Sequence, residues 1–164
     1  MEVVIRRAVV ADAPEILALQ KLAYYDEAVL YNAFEMPPLT ETVEEIEAEF
    51  VDHIFLKAVA GDKLVGSVRA RMIEDDTCYV GRLAVHPEHQ GHHTGTGLMI
   101  EIDKYFPEAK KFALYTGYKS TRNIHIYEKL GYRVADRREL APDVFLLFMV
   151  KAARQPVPGR VSRV

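Results

Sequence analysis

Short apolar runs, most of them β-branched or aromatic, alternate along this chain with longer stretches whose apolar residues fall at helical spacing. "VVIRRAVV" near the start predicts a first strand. Asp12 follows, with Pro14 in the first turn and Glu15 three residues on, the pattern of a capping box that opens a helix. Ile16, Leu19 and Ala23 keep one apolar face along that helix. Paired prolines in "NAFEMPPLTET" break the regularity and predict a loop. Thr42 and Glu45 form a second capping box, and Val43, Ile46 and Phe50 give the next helix its buried stripe.

"HIFLKAVA", the turn residues Gly61 and Asp62, and "KLVGSVRARMI" read as a hairpin. "EDDT" is a turn and "CYVGRLAVH" a fourth strand. After a glycine-bearing loop, Leu98, Met99, Ile102 and Phe106 mark the apolar side of a helix. "KFALYTG" predicts a fifth strand and "STRNIHIYEKL" a helix closed by Gly131. "YRVADRREL" and "DVFLLFMV" predict a closing antiparallel pair. The tail "ARQPVPGRVSRV" has little to bury. One domain is expected over residues 1–151, followed by a flexible tail over 152–164.

Composition narrows the function classes. A chain of 164 residues, 49% of them hydrophobic, is about one domain with one sizeable core. Its net charge of −3 gives no support to nucleic-acid binding, which usually shows as a strongly basic face. Cys78 is the single cysteine, so no disulfide can form within the chain, and a reducing cytoplasm fits. "MEVVIRRA" lacks the apolar core of a signal peptide, and no run reaches bilayer-spanning length. The expectation is a soluble cytoplasmic domain with neither nucleic-acid nor membrane partners.

The densest chemistry lies in "HPEHQGHHTGTG", His86 to Gly97, which holds four of six histidines. His86, His89 and His93 could be metal ligands, yet Pro87 and Gly91 interrupt any helical spacing between them. The segment also runs into a helix, whose first N–H groups lack partners and carry a partial positive charge. A pyrophosphate is the natural occupant of such a loop, and no metal is expected. His89 and His92 read as solvated loop residues, and His93 as an imidazole that could meet a phosphate.

Two motifs on this order of elements carry a resemblance. Val85, Pro87, Glu88, Gln90, Gly91 and Gly95 fall without a gap on V-x-P-E-x-Q-G-x-G-x-G, with His93 where a glycine is usual. Asn123, Tyr127, Gly131 and Tyr132 supply the second. Over nearly its whole length the chain resembles the GNAT superfamily of N-acetyltransferases. The resemblance implies an α/β (α+β) fold, a mixed, mostly antiparallel sheet of six to seven strands flanked by about four helices, with strands four and five splayed. It implies acetyl-CoA as cosubstrate and direct transfer to an amine, on a small molecule or a peptide, and relatives are often homodimers.

The residues implied to hold the cofactor are Leu83, Ala84, Val85, Gln90, Gly91, His92, His93, Thr94, Gly95, Thr96, Asn123 and Tyr127. Pantetheine would lie along strand four against the backbone of Leu83 and Val85. Tyr127 matches the family's general acid, and packing of an aromatic is its competing role. The base is not assigned: Tyr79 stands where some relatives carry a carboxylate or histidine, and Glu27, Glu35, His125 or a water chain are the alternatives. Tyr24, Tyr25 and Tyr31 fall where the family builds its acceptor pocket. The acidic run "ETVEEIEAEF" reads as a solvated helix face. Two other classes stay open, an acyl-CoA-binding module without turnover and a histidine-cluster metal protein.

Overall fold

The β-branched opening run forms β1 (Val3–Arg7), and it is followed by α1 (Ala13–Tyr31), α2 (Pro37–Thr40), α3 (Val43–Glu49), β2 (Ile54–Ala60), β3 (Lys63–Ile73) and β4 (Thr77–Val85). The second half adds α4 (Thr94–Asp103), β5 (Lys111–Gly117), α5 (Thr121–Lys129), β6 (Arg133–Ala141) and β7 (Val144–Ala152). This is a computed structural model, and it describes residues 2–153. Most of the expected tail, residues 154–164, lies outside the described residues. Ala152 ends β7, and the Ala153 N–H donates to the Lys110 carbonyl at 2.8 Å.

The strands form a single seven-stranded sheet in the order β1-β2-β3-β4-β5-β7-β6. Every pairing is antiparallel except β4 with β5. That parallel pair joins only Thr77–Tyr79 to 111–113, and the two strands then splay. This is the mixed, mostly antiparallel architecture expected from the motifs, with five helices where about four were expected.

The period-2 alternation of the strands sends neighbouring residues to opposite faces. Leu56 and Val65 face a core that contains Leu98, Met99 and Ile102 of α4. Phe55 and Leu64 face the other side, against Ile16 and Leu19 of α1 and Ile46 of α3. Phe106 is buried too, although α4 ends at Asp103. Gly66 lets α4 approach the sheet: a Cβ there would meet Leu98 Cδ1 at 2.9 Å and the Ala58 Cβ at 3.1 Å. Gly66→Ala is therefore expected to cost about 1–3 kcal/mol by overpacking, read as a lower urea midpoint. An unchanged midpoint would show that α4 shifts freely.

Three local expectations fare differently. Thr42 and Glu45 make both bonds of their capping box, at 3.2 and 3.0 Å. Asp12 does not cap α1. Its carboxylate accepts from the Val9 N–H at 2.8 Å and pairs with Lys57 Nζ at 3.0 Å, so it closes the preceding turn instead. The expected loop around the prolines contains the one-turn α2, because two residues with φ already near helical values suit its first positions.

β6 forms one margin of the sheet. All of its residues are exposed, and its register with β7 shifts at two places. Among the described residues, no helix is long and apolar enough to cross a membrane.

Candidate functional site

Two irregularities free the backbone of β4. Its pairing with β3 matches Ser67 to Ala84 and Arg69 to Gly81, so Arg82 and Leu83 together oppose Val68 alone. This is a β-bulge, and Arg82 takes a left-handed φ of 54° within it. On the other side β4 has no strand partner beyond Tyr79 among the described residues. Tyr24 of α1 reaches into the gap, and its Oη donates to the Leu83 carbonyl at 2.9 Å.

Two cavities meet at this gap. The larger, about 710 Å³, lies between the end of β4, the following loop and the start of α5. Leu83, Ala84, Val85, Gln90, Gly91, His93, Thr94, Gly95, Thr96 and Asn123 all line it. The smaller, about 550 Å³, is walled by α1, β4, β5 and the β6–β7 hairpin, and it holds Tyr127. Tyr24, Glu27, Leu83 and Asn123 line both, so they mark the junction. His92 is exposed and lines neither cavity.

The loop before α4 has the shape its glycines and small residues suggest. Gln90 Nε2 ties it back to the Val85 carbonyl at 3.1 Å. Gly91 has φ +81°, and nothing lies within 4 Å of where a Cβ would stand. His93 is the N-cap residue of α4 with φ 65° and ψ 10°, and its side chain makes no cap bond. A non-glycine residue held left-handed costs roughly 1–2 kcal/mol, so the departure from glycine here is strained. With no side-chain cap, the first N–H groups of α4 remain available to an anion. That arrangement fits the pyrophosphate of a coenzyme.

The metal alternative finds different geometry. His86 Nδ1 accepts from the Glu88 N–H at 3.1 Å, and the His86 and His89 rings meet edge to face at 5.7 Å. Among the described residues, no three His, Cys, Asp or Glu side chains converge to hold a metal.

On the junction side, Tyr24, Glu27 and Tyr31 share one face of α1 at helical spacing. The Glu27 carboxylate accepts from Ser120 Oγ. Burial pushes this carboxyl above its ordinary range, and the Ser120 hydrogen bond only partly offsets that. Tyr31 Oη accepts from the Lys119 N–H at 2.7 Å and lies 3.3 Å from Ser120 Oγ. The two helices are thus tied together at the point where the cavities meet. Of the other tyrosines expected near an acceptor, Tyr25 is exposed and packs on Phe34.

Asn123 and Tyr127 sit one turn apart on α5, as their spacing predicts. Burial holds the Tyr127 phenol well above its ordinary pKa, and the nearby Tyr24, Glu27 and Tyr79 add to the shift. Its ring packs edge to face on Tyr132 at 5.9 Å. Tyr127 therefore stands as a neutral phenol on the wall of the smaller cavity.

Several residues escaped the sequence reading. Ser120 is one, because its partner Glu27 lies 93 residues away. Lys119, Arg122 and Lys129 are others, cations that line the larger cavity from the turn before α5 and along it. The acidic run also needs correction. Arg69, only 3% exposed, donates to Glu49 Oε2 at 2.5 Å, to Gln20 Oε1 at 2.6 Å and to Glu41 Oε1 at 3.1 Å. Glu41 and Glu49 therefore turn inward, and only the residues between them include a solvated face.

Comparisons with known proteins bear on this geometry. A curated relative, the UPF0157 protein YqkA of Bacillus subtilis (strain 168), is 27% identical over 136 residues, 82% of this chain. The chain spans only 38% of that relative's length. Among solved structures, the PaiA N-acetyltransferase of Thermoplasma acidophilum, in complex with coenzyme A, aligns with a TM-score of 0.73 at 21% identity. That alignment covers 93% of this chain and 100% of the other. YncA of Salmonella typhimurium, with its cofactor acetyl-CoA, aligns with a TM-score of 0.73 at 19% identity, over 94% and 96% of the two chains. These two likenesses concern the fold. The model of the Acetyltransferase (GNAT) family matches residues 15–132, well over half of the sequence. This chain belongs to the GNAT acetyltransferase family.

Proposed function

We propose that the protein transfers an acetyl group from acetyl-CoA directly to an amine acceptor. The observation that carries this reading is the meeting of two cavities at Tyr24, Glu27, Leu83 and Asn123, beside the unpaired backbone of β4. When bound, the coenzyme supplies an acetyl thioester. The 91–96 backbone would hold its pyrophosphate, and free main-chain groups of Leu83 and Val85 would receive pantetheine as an added strand. Tyr24 already takes the Leu83 carbonyl and Gln90 the Val85 carbonyl, so pantetheine would meet main-chain N–H groups there.

The chain's own residues then divide the proton work. An amine attacks only when neutral, so a base must take its proton. Glu27 suits that role: it lines both cavities, and burial raises its basicity. Ser120 fixes the carboxylate. Tyr127, kept neutral by burial, holds a proton for a departing thiolate. A base of this kind favours turnover over an acyl-CoA-binding module without it.

The test joins binding to turnover. Acetyl-CoA should raise the thermal midpoint, since a ligand that binds only the folded state stabilises it. An amine panel should release free thiol. Glu27 must be ionised to accept a proton, so activity should be full above its pKa and fall as pH drops through it. Because that pKa is raised, the loss should begin above the usual carboxylate range. In Glu27→Gln this acid limb should vanish for the same amine. The proposal is refuted if saturating acetyl-CoA gives no stabilisation and no amine of the panel releases thiol.

A further inference from the structure

The smaller cavity has chemistry that the acetyl transfer itself does not use. Four arginines line it, Arg69, Arg71, Arg82 and Arg138, together with Glu27, Glu49 and His53. Arg69 is consumed by Gln20, Glu41 and Glu49. Arg82 is not. It approaches Glu41 Oε1 only to 3.7 Å, and that oxygen already accepts from Gln20 Nε2 at 2.8 Å and from Arg69. The Arg82 Nε is buried without a hydrogen-bond partner among the described residues, and the strained bulge backbone sets its side chain on the wall. Arg71 lies 4.0 Å from Asp52. Arg138 of β6 stands 5.5 Å over the Tyr115 ring.

Charges in and around this wall leave one surplus. Glu41 and Glu49 offset Arg69 and Arg82, and Asp52 faces Arg71, so Arg138 has no carboxylate to balance it among the described residues. Glu27 stands apart from this group, at the junction where an amine would react. The site is therefore bipolar, with a carboxylate for the ammonium end and guanidinium donors for an anionic end. Between them Tyr79, Tyr115, Phe145 and Leu146 offer an apolar wall. A guanidinium recognises a carboxylate through paired N–H donors.

Resting on the acetyl-transfer reading, we infer that the acceptor is a free amino acid with an apolar or aromatic body, its carboxylate held by Arg82 and Arg138. A polycationic amine would meet the surplus positive charge and find those donors unsatisfied.

Matched probes test this. L-Phenylalanine, its amide, phenethylamine and spermidine would be compared by thiol release with acetyl-CoA. Phenylalanine should exceed its amide and phenethylamine at least tenfold in kcat/KM. Arg138→Gln, on an exposed strand, and Arg82→Gln should each bring that ratio towards one, mainly through KM, with stabilisation by acetyl-CoA retained as the sign of a folded site. A wild-type ratio near one, a preference for spermidine, or an unchanged ratio in both variants would overturn the inference. Should no amine be acetylated, calorimetry of phenylalanine against phenethylamine, with coenzyme A present, applies the same tenfold criterion to binding. The acceptor class and the acetyl-transfer reading are thereby judged separately.

Discussion

Tyr127→Phe should lower kcat by a factor of roughly 10²–10⁴, the usual effect of removing a positioned general acid. The substitution removes one oxygen and keeps the ring that packs edge to face on Tyr132. Stabilisation by acetyl-CoA should persist, because the hydroxyl matters most as the thiolate departs, and so the loss belongs to the chemical step. Single-turnover measurements separate that step from product release. An unchanged rate with chemistry limiting would assign Tyr127 to packing alone.

Arg69→Ala should unfold the protein more readily than any other single change considered for this site. Removing one partner of a buried ion pair costs about 3–5 kcal/mol, because the remaining charge stays in place uncompensated. Here Glu41, Glu49 and Gln20 Oε1 would each lose the Arg69 guanidinium, Glu41 keeping only its bond from Gln20 Nε2 and the more distant Arg82, and Phe55 would lose the guanidinium that lies 5.0 Å from its ring centre. Glu49 keeps some access to solvent, so the lower end of that range is expected. The sign with pH follows from Glu41, whose pKa hydrogen bonds and the arginines hold below its ordinary value despite burial. A depressed carboxylate contributes stability above its unfolded pKa and loses it as pH falls through the folded one. The gap between wild type and variant should therefore narrow in acid. Urea melts at neutral and acid pH check both claims, and equal midpoints at neutral pH would show that the cluster contributes nothing.

What the sequence disclosed about this molecule was mostly local. Runs of β-branched residues, the Thr42–Glu45 box and the pair Asn123–Tyr127 depend on neighbours within a turn or a pleat, and all formed as read. His93, at the motif position where a glycine is usual, does take a left-handed backbone. The failures have a common cause. Asp12 had two uses for its carboxylate, and the choice depended on Lys57, 45 residues away. The acidic run gave no sign that Glu41 and Glu49 would turn towards Arg69, since periodicity does not reveal which charges a sheet will bring beneath a helix. Glu27 was one candidate base among several, and nothing local in the sequence tied it to Ser120 or to the cavity junction.

The exposed margin at β6 has a consequence for the protein at high concentration. A strand at the end of a sheet offers a row of unpaired N–H and C=O groups to any other strand that approaches. β6 carries Arg133, Asp136, Arg137, Arg138 and Glu139, all exposed, and its register breaks between Val134 and Asp136 and again between Glu139 and Ala141. Charges and bulges of this kind resist edge-to-edge pairing. The ladder with β7 also leaves Arg138 accessible from the cavity side. One strand thus carries charges that resist aggregation and lends a guanidinium to the cavity wall, so replacing its arginines with apolar residues should lower colloidal stability and, on the acceptor reading proposed above, selectivity with it.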